Sequence, residues 1–245
     1  MVTIERKIFL WKVKEIWFSE VFFLSTSSDI LLFRQCQENR KVEDNNIRKK
    51  EFTTTLINLN KNEDEIWNNF AYKSCKYEIN RGNKLNLKLY MNTNYDEFYK
   101  LLNTFIEIKG YTHSINRKRF SEITEHGDLF TVEFNGEIIC GHFCLVDGNN
   151  RARYLWGASK RLLKEYGCIA GAANRWLHWQ AIKYYKRKGV GHYDFGGINL
   201  NPDSLAYGIT KFKLSFGGEI EKEYHYVVVN NSYLKLAKTF IFKGL

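Results

Sequence analysis

The chain lacks the features that mark several protein classes. No stretch approaches the roughly 18 uninterrupted apolar residues of a membrane-spanning helix, which leaves membrane contact to the periphery. The cysteines, Cys36, Cys75, Cys140, Cys144 and Cys168, form an odd set without CxxC spacing, which argues against a disulfide framework. The N-terminus, MVTIERKIFLWK, shows no long apolar run ahead of a small-residue cleavage site. A reduced, cytoplasmic protein is expected. There is a single proline, Pro202, and no internal repeat, low-complexity tract or coiled-coil heptad.

What is present is enough apolar material for a full core. The 245 residues are 44% apolar and 16% aromatic, sufficient for one large or two small domains. The net charge of +10 favours polyanions such as RNA, nucleotide diphosphates or anionic lipid surfaces. The alternative reading is that the Lys-rich, Asn-rich, Pro-poor composition reflects the base composition of the source genome, and charge alone does not choose between the two.

Up to about Asn60 the pattern is mostly strands. FLWKV sets Phe9, Trp11 and Val13 against Leu10 and Lys12, DILLF is a short apolar run, and FTTTLINL is rich in β-branched residues. The charged segment QENRKVEDNNIRKKE between them reads as an exposed loop. Asn62 with Glu65 has the form of a capping box and opens a helix that runs to Gly82, with Ile66, Phe70, Ala71, Ser74 and Tyr77 on one face. KLNLKLY alternates as a half-buried strand. Asn94 with Glu97 opens another helix, striped by Phe98, Leu101, Leu102 and Phe105 and closed by Gly110, and a further helix follows over about Ser114 to Glu125.

LFTVEF and EIICGHFCLV flank Asn135-Gly136, a hairpin signal of the type I′ kind, and Asp147-Gly148 leads into RARYLWGA. Ala172 to Lys188 reads as the best helix in the chain, with Gly189 after it. His192 to Phe195, Ser204 to Ser215 and Ile220 to Val229 read as strand, helix and strand, and the basic amphipathic segment SYLKLAKTFIFKGL ends the chain.

The order from Leu85 onward, strand, two helices, three antiparallel strands, helix, strand, helix, strand, is that of the GNAT acyltransferase fold. The residues carry the likeness further. DEIWNNFAYKSCKYEINRGNK, together with YDFGGI and the downstream GITKFKLSFGG, resembles the Fem-type (FemAB-like) branch of the GNAT superfamily. Members of that branch add amino acids to peptidoglycan precursors, and related acyltransferases serve envelope polysaccharide clusters. The likeness covers about residues 60 to 226. It implies a GNAT-like α/β (α+β) fold, with a mixed, mostly antiparallel central sheet flanked by helices. Residues 1–60 are then a partial β-rich unit, too short for a second complete GNAT unit, and residues 61–245 the acyltransferase domain.

Acyl transfer to an amine passes through a tetrahedral oxyanion, which fixed donors or cations stabilise. By resemblance Lys213 matches the lysine of the family's FK motif, with Phe212 shaping the same wall; the structural alternative is a solvated helix lysine. Asp194 stands at the end of a strand where it can orient or deprotonate the acceptor amine, or simply cap the following turn. Gly196 and Gly197 allow close backbone approach or positive φ, and Trp156 and Tyr207 join them as candidate substrate contacts. The amino end of the Ala172 helix, with Gly167, Gly171, Ala172 and Arg175, is a candidate site for the phosphates of a donor, or else a tight helix packing surface.

Cys140, His142 and Cys144 alternate onto one strand face and read as half-buried packing, not as a zinc site or a thiol nucleophile, since no further ligands show supporting spacing. His178 reads as structural. No tightly bound cofactor is expected, and acyl-CoA or aminoacyl-tRNA would serve as co-substrate. The partners in play are an envelope precursor, tRNA, the inner membrane face and a second copy of the chain. The contrasting reading is a non-catalytic GNAT module that binds RNA or an anionic glycan.

Overall fold

The computed structural model describes residues 1–110, 114–231 and 233–234. The chain groups into two compact units, residues 1–54 with 220–245, and residues 55–219. The expected division fell at residue 60; the observed grouping changes at 54/55 and adds the C-terminal strand to the N-terminal ones.

In the first unit β1 (Val2–Ile8) and β2 (Trp11–Trp17) form an antiparallel hairpin. β2 runs parallel to β3 (Ile30–Cys36), and β3 pairs antiparallel with β10 (Glu219–Val229), whose first residue belongs to the other unit. Ile16, Phe22, Leu31, Phe33, Tyr226 and Val228 make one buried cluster. Two expectations change here. Phe9 and Leu10, read as part of a strand, are the turn between β1 and β2. β4 (Ile47–Asn58) begins inside the segment read as an exposed loop.

The second unit takes the last residues of β4, which pair antiparallel with β9 (His192–Asp194). β9 is parallel to β8 (Arg151–Ser159), and β7 (Glu137–Asp147), β6 (Gly127–Phe134) and β5 (Lys88–Met91) follow in antiparallel order. The β6–β7 turn is Asn135-Gly136, with φ of 52° and 84°, which suits the twist of the strands it joins. Among the described residues six α-helices accompany these strands: α1 (Glu63–Asn68), α2 (Tyr77–Asn83), α3 (Tyr95–Ile108), α4 (Arg117–Thr124), α5 (Gly167–Arg187) and α6 (Tyr207–Leu214). This is the expected GNAT-like arrangement.

The expected single helix from Asn62 to Gly82 is divided. Its capping box is present, with the Asn62 side chain accepting from the Glu65 N–H at 2.8 Å and Glu65 accepting from the Asn62 N–H at 3.1 Å. After Asn69 the chain breaks, Ala71 donates to the Ser215 carbonyl, and a π turn over Tyr72–Lys76 leads into α2. The break rotates the buried face. Ile66 and Phe70 stay inside, but Cys75 and Ile79 replace Ser74 and Tyr77, which are exposed. The basic C-terminal segment read as a helix lies outside the described residues, apart from Tyr233 and Leu234.

Candidate functional site

The pairing of β8 with β9 sets the site. Arg151, Ala152 and Arg153 lie opposite His192, Tyr193 and Asp194, and the pairing ends there although β8 continues to Ser159. Past Asp194 the chain turns away at Gly196, whose φ is +76°. The turn is made by charge as well as by glycine. The Gly196 N–H donates to Asp194 Oδ1 at 2.7 Å, and Asp194 Oδ2 faces Arg151 Nη1 at 3.6 Å and Arg153 Nε at 3.8 Å. A Cβ at position 196 would collide with the Arg153 guanidinium. Gly196 is therefore favoured by its dihedral, and a side chain there would displace the Arg153 guanidinium. Asp194 is fully buried and caps the turn, one of its two expected roles.

α6 brings Lys213 to this turn. It starts at Tyr207, three residues later than expected, and Lys213 lies in its last turn. The half-buried Lys213 donates from Nζ to the Gly197 carbonyl at 2.7 Å. Its amine is pushed down from 10.5 to about 7, first by burial and then by the charge of Arg153, with Asp194 opposing. An amine removed from water favours its neutral form, and a nearby guanidinium adds to that. Near neutral pH Lys213 is thus poised between charged and uncharged.

Phe212, one residue before, takes the Arg175 guanidinium over its ring at 4.8 Å from the centroid, and packs on His178 and Phe216. Burial lowers the pKa of Arg175. Behind this wall lie two fully buried imidazoles, His142 and His178, with ring centroids 3.9 Å apart. His142 Nε2 is 2.7 Å from Asn174 Oδ1 and His178 Nδ1 is 2.9 Å from the Tyr193 hydroxyl. Burial lowers His142 to about 4; it lowers His178 well below its usual value too, with His142, Lys213 and Arg175 adding to the effect. Both rings are neutral at pH 7, so the wall behind Lys213 adds no charge. Their other nitrogens, His142 Nδ1 and His178 Nε2, have no hydrogen-bond partner.

The structure brings Lys213, Phe212, Asp194, Gly196, Gly197 and Arg175 into one neighbourhood. It places the other expected residues elsewhere. Trp156 turns to α4, stacking on Phe120 at 5.7 Å and packing on Phe143, whereas Tyr154 packs on His142 and His178. A bulge between Phe143 and Cys144 sets these two directions. Tyr207 sits at the start of α6 with the Lys211 ammonium 5.5 Å from its ring centroid. The long helix begins at Gly167, not Ala172, so Ala172 and Arg175 are interior residues and Ala172 is buried in packing. The free N–H groups belong to the first turn from Gly167, which has no side-chain cap. Gly171 has open space where a Cβ would be.

Arg153 and the two histidines were not singled out for this site from the sequence. The signal for Arg153 is the pairing of an arginine with an aspartate across a parallel register, which requires knowing which strands are neighbours. Cys140 and Cys144 are fully buried with His142, and burial pushes the Cys144 thiol up to about 12, far from a thiolate. Among the described residues no group of three or more metal-ligating side chains converges. A separate cavity of about 420 Å³ lies between α3, the start of β7 and the turn after β8, and none of the expected site residues lines it.

The order of strands and helices from β5 to β10, with the parallel β8–β9 pair parting beyond Asp194, is that of a GNAT-type domain. Residues 87–213, just over half of the chain, match the acetyltransferase (GNAT) domain model, and the chain belongs to that family. Within it the similarity runs to the Fem-type branch. The lipid II:glycine glycyltransferase of Staphylococcus haemolyticus is 29% identical over 106 residues, 41% of this chain and 24% of that protein. The protein of the same name from Staphylococcus epidermidis is 29% identical over 134 residues, 53% of this chain and 30% of its own length. The chain thus matches less than a third of either relative. The crystal structure of FemX superposes on 96% of this chain and 85% of its own with a TM-score of 0.69 at 13% identity, which shows a shared fold.

Proposed function

We propose that this protein is an N-acyltransferase that moves an acyl or aminoacyl group directly onto an amine of a cell-envelope precursor, a muropeptide or a sugar. The observation that carries the reading is Lys213, a half-buried amine fixed by the Gly197 carbonyl beside the point where β8 and β9 part. The relatives, named as lipid II:glycine glycyltransferases, support the acceptor class.

In this reading the neutral acceptor amine attacks the donor carbonyl and the developing oxyanion meets the Lys213 ammonium. Such a preorganised donor contributes about 100- to 1,000-fold. The intermediate then collapses to the amide as the C–S or C–O bond to the donor breaks, and the departing thiol or tRNA hydroxyl takes up the proton the amine loses. Phe212, with Arg175 over it, shapes the wall. Asp194 acts by holding the Gly196–Gly197 turn, and Tyr207 at the start of α6 is an outer substrate contact. The donor is an acyl-CoA-type thioester or an aminoacyl-tRNA. Its phosphates or backbone would meet the uncapped start of α5, with Gly167 and Gly171 as the donor subsite. Residues 55–219 carry the acyltransferase site, and residues 1–54 with 220–245 form a second, β-rich unit. The protein works in the cytoplasm, at the inner face of the membrane, alone or as a homodimer.

The test supplies labelled CoA thioester and aminoacyl-tRNA in parallel to wild type and to Lys213→Ala. Transfer is expected to fall at least about 100-fold in the variant with the fold intact. Undiminished transfer removes Lys213 from the mechanism; a protein that binds both donors and transfers from neither is the non-catalytic module instead.

A further inference from the structure

The β1–β2 hairpin closes in two residues, Phe9 and Leu10, which are 88% and 92% exposed. Phe9 has a φ of +54°. Two-residue hairpin turns need positive φ and favour Asn-Gly for that reason; a bulky L-residue is strained there. Two large apolar side chains held in water also gain nothing from burial. On the flanks, Lys7 lies directly opposite Lys12, both exposed, and like charges in that position repel. Lys14 and Arg6, further from the tip, are paired with Glu5 at 3.1 Å and Glu15 at 3.0 Å, and Asp29 accepts the Lys12 backbone N–H at 2.7 Å. At the two-residue turn Asn135-Gly136 the positive φ falls on residues that suit it, no large apolar side chain stands at the tip, and Phe134 lies opposite Glu137 where the first hairpin has Ile8 opposite Trp11.

Each choice at this tip works against folding in water, and all suit one surrounding. Phe9, Leu10 and the half-buried Trp11 fit the boundary between headgroups and acyl chains, while the lysines on either side reach the phosphates. Phe9 and Trp11 meet edge to face with ring centroids 6.3 Å apart. A protein partner needs about 800 Å² from each side for a stable interface, more than a turn of this size offers.

We infer that the hairpin tip Ile8–Trp11, with Lys7 and Lys12, is a contact that seats the protein on an anionic phospholipid surface. This deepens the peripheral-membrane part of the proposed function and assigns it to a named structure. It needs no donor or acceptor to test, so it can fail while acyl transfer stands, and the reverse.

The full chain is sedimented with vesicles of phosphatidylcholine, with and without phosphatidylglycerol. Wild type is expected to bind the phosphatidylglycerol vesicles and to be released by salt. Phe9→Asn with Leu10→Gly should weaken binding about 100-fold, since two apolar side chains no longer leave water, while the melting temperature stays the same or rises. Lys7→Gln with Lys12→Gln should weaken binding to the anionic vesicles by about tenfold and reduce the salt effect. Equal binding by wild type and the Asn-Gly variant, or no binding by wild type, overturns the inference. So does a fall in melting temperature with Asn-Gly, which would make the tip a structural element. A wild type that ignores vesicles but self-associates through Phe9 and Leu10 would assign the tip to protein contact.

Discussion

Lys213 is an amine kept partly out of water, and Phe9-Leu10 are hydrocarbon kept in it. Each inverts the usual placement of its residue type, and each has an ordinary counterpart in the same chain. Lys186, near the end of α5, also reaches backbone carbonyls, of Leu59 and Lys61, but it does so in the last turn of a helix and beside no parted strand pair. Asn135-Gly136 turns a hairpin without exposing large side chains. The difference teaches where to look for function: at positions whose residue opposes folding, replacement by the ordinary residue should raise stability and lower activity or binding.

Lys213→Ala is the largest break in this comparison, with transfer down at least about 100-fold. The pH profile sharpens it. Oxyanion stabilisation needs the ammonium, so transfer should decline as pH rises through about 7. Gly196→Ala comes next. The new methyl group meets Arg153 at a positive φ, so a loss of about 1–3 kcal/mol by urea titration is expected. No loss would show that Arg153 moves aside freely.

Transplanting the tip is a smaller effect. Asn135→Phe with Gly136→Leu should cost about 1–2 kcal/mol and give no vesicle binding, because the flanking Phe134 and Glu137 supply no lysines. A transplanted turn that binds vesicles would mean that hydrocarbon alone suffices. The smallest effect is on stability against pH. Lys213 is lowered in the folded chain from 10.5 to about 7, so between those values the unfolded chain binds a proton that the folded chain has released. Stability from this group therefore rises with pH across that window, and below it the cost of charging the buried amine is present in full. Lys213→Met should remove that slope and raise the melting temperature by about 3 °C at pH 6. A flat wild-type profile would place the amine in water.

Much of the second unit was legible from local patterns. The Asn62–Glu65 box, the Asn135-Gly136 turn and the Phe98–Leu102 stripe each rest on neighbours three or four residues away or fewer, and each has the expected form. Boundaries set by tertiary contact were not legible. The helix break after Asn69 depends on the Ser215 carbonyl, and the extension of α5 back to Gly167 crosses glycine and alanine positions that carry no periodic signal. Phe9-Leu10 was misread because an apolar pair between alternating residues has the pattern of a strand, and only the pairing of Lys7 with Lys12 shows that the chain reverses there.

The sequence by itself determined the element order and the residue types available at the site, since caps, turns and apolar alternation act over a few residues. It also placed a lysine and two glycines near one another along the chain. Tertiary structure alone decided that Arg153 stands across from Asp194, that two neutral histidines back the wall, and that the Lys213 amine falls to about 7. Those outcomes depend on desolvation and on charges brought together from distant segments, which no local pattern encodes.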